Sequence, residues 1–186
     1  MKTTLMLVTT HRGISDDTWE SIFRTECPNV LKVKGQACID RARSIAFDQA
    51  YAQLKINGDL DMVLCIDDDM VFKPNDACRV VDSARRDGIA TSAVAVNSAG
   101  LVTHKVYGDR FVTGLAFIAI PRKLFIAVGA SLQRCGPTRI WCRNGPHPEF
   151  PDQWIGEDYD LCVKLGGVLV HEGVSVGHVK EKILWP

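Results

Sequence analysis

Four apolar residues, Val63-Leu64-Cys65-Ile66, run directly into three carboxylates, Asp67-Asp68-Asp69. No other feature of the chain constrains its fold as much. An apolar run this short, preceded by Asn57-Gly58 and followed by acidic residues, is a strand buried in a core that ends in a polar turn. In open α/β sheets, ligands bind just beyond the carboxyl ends of such strands. Three adjacent carboxylates repel one another, so the turn needs solvent, a cation or a basic partner. A divalent metal bridging to a diphosphate meets that need. A solvated acidic turn leading to Pro74 is the alternative.

The remaining pattern surrounds this strand with others of its kind. Thr4 to Thr9 is a second apolar run, entering the loop Thr9-Thr10-His11-Arg12-Gly13. Asp16 or Asp17 can cap a helix that reaches about Thr25. Residues 29–34 read as a strand and 38–54 as a long helix. Asn75 opens a helix that ends near Gly88. Strands follow near 89–96, 101–107 and 114–120, and Pro121 starts a short helix. A helix over 156–165 and strands at 168–171 and 174–178 complete the pattern. Strand–helix alternation early and hairpin-like strands late predict a mixed sheet with helices on its faces. The expectation is a three-layer α/β fold in a single domain spanning 1–186.

The stretch 130–155 stands apart. Pro137, Pro146, Pro148 and Pro151 interrupt it, together with glycines, aromatics and arginines. Loops this long inside a compact domain are functional lids or disordered segments.

Charge and cysteine usage narrow the classes. Lys and Arg (22) balance Asp and Glu (22), which leaves no global basic field for nucleic acid. The seven cysteines include no CxxC pair, against a disulfide framework or zinc knuckle and in favour of a reducing compartment. The first apolar run is too brief for a signal peptide or a membrane span. The chain therefore reads as cytoplasmic.

Helical phase singles out further residues. Over 38–54, Ile39, Ala46, Ala50 and Leu54 share one face, with Arg43 in its middle and Arg41 and Asp48 on the other side. An arginine on a buried face needs a carboxylate or a phosphate; a structural ion pair with a core carboxylate is as consistent as a ligand contact. In the last helix, Asp158 shares a face with Leu161, Cys162 and Leu165, and Glu157 borders it, while Asp160 and Lys164 lie elsewhere. First-turn carboxylates also complement the helix dipole. His178 ends a strand and is open to a structural or a ligand role. His11, His104, His147 and His171 have no partner spacing that singles them out.

These pieces resemble the GT-A glycosyltransferases, the nucleotide-diphospho-sugar transferases. The apolar strand with Asp67-Asp68-Asp69 and Met70-Val71-Phe72-x-Pro74 resembles their Asp-x-Asp metal motif. Arg41-Ala42-Arg43-Ser44 is similar to an Ala-Arg-Asn helix motif, with Ser44 where Asn is usual. Thr113-Gly114-Leu115-Ala116-Phe117 resembles their Gly-rich strand, Gly156-Glu157-Asp158 their Glu-Asp motif, and Val176-Gly177-His178 their late metal-binding His. The order holds from about residue 4 to 179.

The resemblance implies a three-layer GT-A (Rossmann-like) fold and a transfer from a nucleotide sugar to an acceptor hydroxyl. It implies Mn²⁺ or Mg²⁺ held by Asp67, Asp69 and His178, with Asp68 alongside. It further implies a nucleotide pocket lined by Thr9, Thr10, Arg12 and Arg43. Asp158, with Glu157 beside it, would meet the acceptor, and 130–155 would be an acceptor-side loop or lid. Glycan, protein and modified nucleobase are all compatible acceptors. Two other readings stay open. Asp67-x-Asp69-x-Val71 also fits the first motif of haloacid-dehalogenase-type phosphatases, in which the leading Asp is a nucleophile. A non-catalytic module that binds sugar nucleotides is the other.

Overall fold

The computed structural model describes residues 2–10, 13–34, 38–97, 99–102, 105–107, 111–113, 116–147 and 152–178. His11, Arg12, His104, Gly114, Leu115, Pro148 and Pro151 lie outside these residues. In chain order the elements are β1 (Thr3–Thr10), α1 (Asp16–Phe23), β2 (Val30–Lys34), α2 (Ile39–Ile56), β3 (Leu60–Asp67), β4 (Met70–Val71), α3 (Pro74–Asp87) and β5 (Thr91–Asn97). They continue with β6 (Lys105–Tyr107), β7 (Phe111–Thr113), β8 (Phe117–Pro121), α4 (Arg122–Ser131), β9 (Arg134–Cys135), β10 (Thr138–Arg139), β11 (Gly145–Pro146), β12 (Trp154–Ile155), α5 (Glu157–Lys164) and β13 (Leu169–His178).

The apolar runs form the middle of a seven-stranded mixed sheet in the order β2-β1-β3-β8-β5-β13-β4. β1 is parallel to β2 and β3, β8 runs antiparallel to β3 and β5, and β13 is parallel to β5 and antiparallel to β4. Side chains alternate between the two faces. Leu5, Leu7, Val63, Cys65, Ile118 and Ile120 enter one core. Met6, Val8, Met62, Leu64, Ile66 and Phe117 enter the other. Burial on both faces is why these strands read as unbroken apolar runs. Phe47 and Leu54 of α2, Phe125 of α4 and Leu161 of α5 cover the first face; Ile22 of α1 and Val80 and Ala84 of α3 cover the second. The result is a three-layer α/β fold.

Several local expectations are corrected. The N-cap of α1 is Ser15, whose hydroxyl accepts from the Thr18 amide, while Asp16 and Asp17 occupy the first turn. The two short strands expected at the end are one strand, β13, whose register on β5 breaks between His171 and Ser175. α3 ends on Gly88 in the left-handed region, at φ 69°, which glycine adopts without a Cβ clash.

The stretch 130–155 is not a loose loop in its first half. Trp141 is fully buried, stacked on Phe125 with ring centroids 4.4 Å apart and edge-on to Phe47 at 5.6 Å. Its Nε1 donates to Asp48 Oδ1 at 3.3 Å. Arg139 pairs with the same carboxylate at 2.8 Å and lies over the Tyr51 ring. Asp48, assigned to the outer side with Arg41, is therefore covered, whereas Arg41 is exposed. Gly129 leaves the necessary space, since a Cβ there would sit 2.5 Å from the Tyr51 ring and 2.7 Å from that of Trp141.

All seven cysteines are free, and Cys65, Cys142 and Cys162 are core residues. Among the described residues, no helix is long and apolar enough to cross a membrane.

Candidate active site

The chain leaves β1 for α1 on one face of the sheet and β2 for α2 on the other. With the strand order β2-β1-β3, the carboxyl ends of β1 and β3 flank a topological switch point, where open sheets leave a crevice. Thr9 is registered on Asp67 there. Both Thr9 and Thr10 are buried, and Thr10 Oγ1 accepts from the Gly13 amide at 2.8 Å, which shapes the start of the first loop.

Arg43 reaches this point from the buried stripe of α2, one turn before Ala46 and Phe47, and is only 6% exposed. Its Nη2 donates to both oxygens of Asp67, at 3.1 and 2.8 Å. Its Nη1 donates to Glu157 Oε1 at 3.3 Å and to Asp158 Oδ1. A planar guanidinium fork is suited to such contacts, because its donors point in fixed directions. Burial works against the charge on Arg43, but Asp158, Asp67 and Glu157 outweigh it and raise its pKa well above the ordinary value. The arginine of the sequence reading is thus partnered by carboxylates from β3 and α5.

Three carboxylates around one guanidinium leave a surplus of negative charge, and the acids register it. Burial pushes the Asp67 carboxyl up to about 7, against Arg43 and with help from the charges of Asp158, Asp69 and Asp68. Glu157 is also raised, first by burial and then by Asp158. The start of α5 has no side-chain cap of its own; Asn144 serves instead, its Oδ1 accepting from the Glu157 amide at 3.0 Å.

The second half of the site comes from an edge of the sheet. β4 pairs with β13 so that Met70 faces His178. This sets His178 Nε2 2.8 Å from Asp69 Oδ2. Arg43, Asp67, Glu157 and Asp158 therefore form one cluster, with Asp69 and His178 as a pair beside it. Among the described residues, no three His, Cys, Asp or Glu side chains form a ready-made metal-ligand set. The donor types still fit a hard divalent cation, since Asp67 and Asp69 offer carboxylate oxygens and His178 an imidazole. A cation here would also offset the charge that Arg43 leaves uncompensated. Asp67 accepts only from Arg43 Nη2 in the described contacts, and a carboxylate has room for more than one partner.

Asp160 corrects the helical phase used for α5. It does not point away into solvent but is buried, bonded to Lys164 Nζ at 2.5 Å and to the Arg143 amide at 2.9 Å. Residues 140–144 cover the side of α5 that faces away from the sheet, where the Arg143 amide bonds Asp160, the Ile140 carbonyl accepts from Lys164 Nζ and Asn144 caps Glu157. The spacing of Asp160 and Lys164, four residues apart, is an ion-pair signal visible in the sequence. Asp160→Asn is expected to cost about 1–3 kcal/mol by weakening this buried pair. A urea denaturation midpoint equal to wild type would contradict that role.

The fold has a counterpart among solved structures. A197 from STIV is similar with a TM-score of 0.60, over 97% of this chain and 87% of that one, at 15% sequence identity. No family model matches the chain, and no curated protein matches it. At this identity the likeness shows the fold alone.

Proposed function

We propose that this protein is a metal-dependent glycosyltransferase of the GT-A type, moving a sugar from a nucleotide-sugar donor to an acceptor hydroxyl. One observation carries the reading. Arg43 ties Asp67, at the end of a central strand, to Glu157 and Asp158, at the start of α5. In this reading the donor-side and acceptor-side carboxylates are held together by one buried guanidinium, which suits a transfer between two adjacent substrates.

In this reading Thr9, Thr10 and Arg12 face the nucleoside, and Arg43 supports the nucleotide pocket. Asp67, Asp69 and His178 hold Mn²⁺ or Mg²⁺, with Asp68 alongside. The bound cation supplies charge stabilisation to the leaving diphosphate. Asp158 takes the proton of the acceptor hydroxyl, and Glu157 stands beside it. The stretch 130–155 forms the acceptor side, and a glycan, a protein or a modified nucleobase is the acceptor class. The protein works in the cytoplasm. A phosphatase reading asks Asp67 to attack as an ionised nucleophile. That reading gives no role to Glu157 and Asp158, which Arg43 ties to Asp67, whereas the transferase reading does.

A thermal-shift screen with UDP-, GDP-, CDP- and dTDP-sugars, with and without Mn²⁺, tests the proposal. One nucleotide class should raise Tm, and only with the metal. An equal shift in excess chelator would remove the metal from the reading, and no shift with any of them would remove the donor.

The pH dependence of the metal effect has a definite sign. The folded Asp67 value of about 7 lies above its ordinary 3.8. Between those values the native state holds a proton that the unfolded chain releases. Stability from this group is therefore complete at acid pH, declines as pH rises from 3.8 to about 7, and levels off above. A cation competes with that proton, so Mn²⁺ should raise Tm more at about pH 8 than at about pH 5. A metal shift of the same size at both pH values would count against Asp67 as a ligand.

A further inference from the structure

α1 and its N-cap carry a polar stripe at three-residue spacing, Ser15, Thr18 and Ser21; the first two contact the turn that bears the aspartates and the third the residue after β4. The Asp68 carbonyl accepts two hydrogen bonds, from the Ser15 amide at 3.0 Å and from Thr18 Oγ1 at 3.1 Å. Past β4, the Phe72 amide donates to Ser21 Oγ at 3.2 Å. Thr18 and Ser21 are both buried.

The proton order in this network is determined. Thr18 has one hydroxyl proton and gives it to Asp68, so in the 2.7 Å contact between the two hydroxyls Ser15 is the donor. The Thr18 amide in turn donates to Ser15 Oγ at 3.2 Å. Each hydroxyl is locked in one orientation. The other sides of the turn are also held: the Asp67 amide donates to the Ala116 carbonyl at 2.9 Å, and Met70 pairs with His178.

We infer that α1 is the positioning element of the metal-binding turn, with the Thr18 hydroxyl as its central contact. The peptide between Asp68 and Asp69 is planar. Holding its carbonyl from α1, with Met70 paired to His178 on the far side, restricts both the plane and the φ of Asp69, and so the direction in which the Asp69 side chain leaves the backbone. Both lone pairs of the Asp68 carbonyl are spent on α1, so that oxygen is turned away from the ligand side. Thr18 is a positioning residue and touches neither metal nor substrate. Groups that orient metal ligands typically change metal affinity about 10–100-fold when removed. The inference rests on the metal reading above.

The test is Mn²⁺ affinity, measured from the free-ion signal in electron paramagnetic resonance during titration. Thr18→Val keeps the shape and removes the donor. It should weaken Mn²⁺ binding about 10–100-fold in protein that folds normally by circular dichroism. Thr18→Ser restores the hydroxyl and should bind within about twofold of wild type. Wild-type affinity in Thr18→Val would overturn the inference, as would Thr18→Ser binding as weakly as Thr18→Val. If Thr18→Val does not fold, Thr18→Cys, whose thiol is a weak donor, takes its place against Thr18→Ser with the same two outcomes. Wild-type protein that binds no Mn²⁺ would remove the metal reading and this inference together. Wild-type binding with an unaffected Thr18→Val would remove this inference alone.

Discussion

Arg43→Ala is expected to cost about 3–5 kcal/mol of folding stability, the range for removing one partner of a buried charge pair. Arg43 is the shared partner of Asp67, Glu157 and Asp158. Without it those carboxylates must take up protons or draw in water, and both alternatives destabilise the native state. The loss should be greatest at neutral pH and smaller in acid, where Asp67 and Glu157, both raised by burial, are protonated. Arg41→Ala is the control. Arg41 is exposed on the same helix, and its removal should change stability by no more than about 0.5 kcal/mol. Arg43→Lys should fall between the two, because an ammonium is a point charge and cannot fork between Asp67 and the α5 carboxylates. Urea unfolding of the three variants measures this. Equal, small effects at Arg41 and Arg43 would rule out the ion cluster as a stabilising unit.

The second large effect belongs to Asp158. Sugar transfer requires the acceptor hydroxyl to lose its proton as the new bond forms, and a positioned base typically contributes about 10²–10⁴-fold in rate. Asp158→Asn keeps the size and one acceptor for Arg43 and removes the base. Transfer should fall by about that factor, with donor binding nearly unchanged. Asp160→Asn should show the reverse, a loss of stability with the rate per folded molecule retained. The anomeric configuration of the product belongs in the same experiment, because a retaining enzyme would use Asp158 to orient the acceptor. Undiminished transfer by Asp158→Asn would pass the role to Glu157, whose carboxyl is already raised by burial and by its neighbour.

The parts of the fold that the sequence revealed share a physical cause. β1 and β3 are buried on both faces, so they appear as contiguous apolar runs that need no knowledge of their neighbours. α2 buries one stripe over 18 residues, long enough for its 3.6-residue period to fix the phase of Arg43. Gly88 sits where α3 needs a left-handed residue. The features that escaped depend on contacts distant in the chain. Trp141 enters the core against Phe47 and Phe125, and nothing in its own surroundings of glycine, proline and arginine announces that. Asp48 and Asp160 lie off the sheet-facing stripes of their helices, and residues 139–143 cover them there. The polar stripe of α1 was visible as Ser15, Thr18 and Ser21, but its meaning required the position of the Asp68 carbonyl.

The cluster around Arg43 also sets an order of assembly. Arg43 and Asp67 are 24 residues apart, on elements that pack as neighbours, whereas Arg43 and Glu157 are separated by 114 residues. Closing the shorter loop costs less chain entropy, so the Arg43–Asp67 pair is available to the folding chain first. At that stage the pair is formally neutral and has no need of a counter-ion. Docking of α5 then adds Glu157 and Asp158 and leaves more negative than positive charge around Arg43. The excess of negative charge around Arg43 is therefore complete only once α5 has docked.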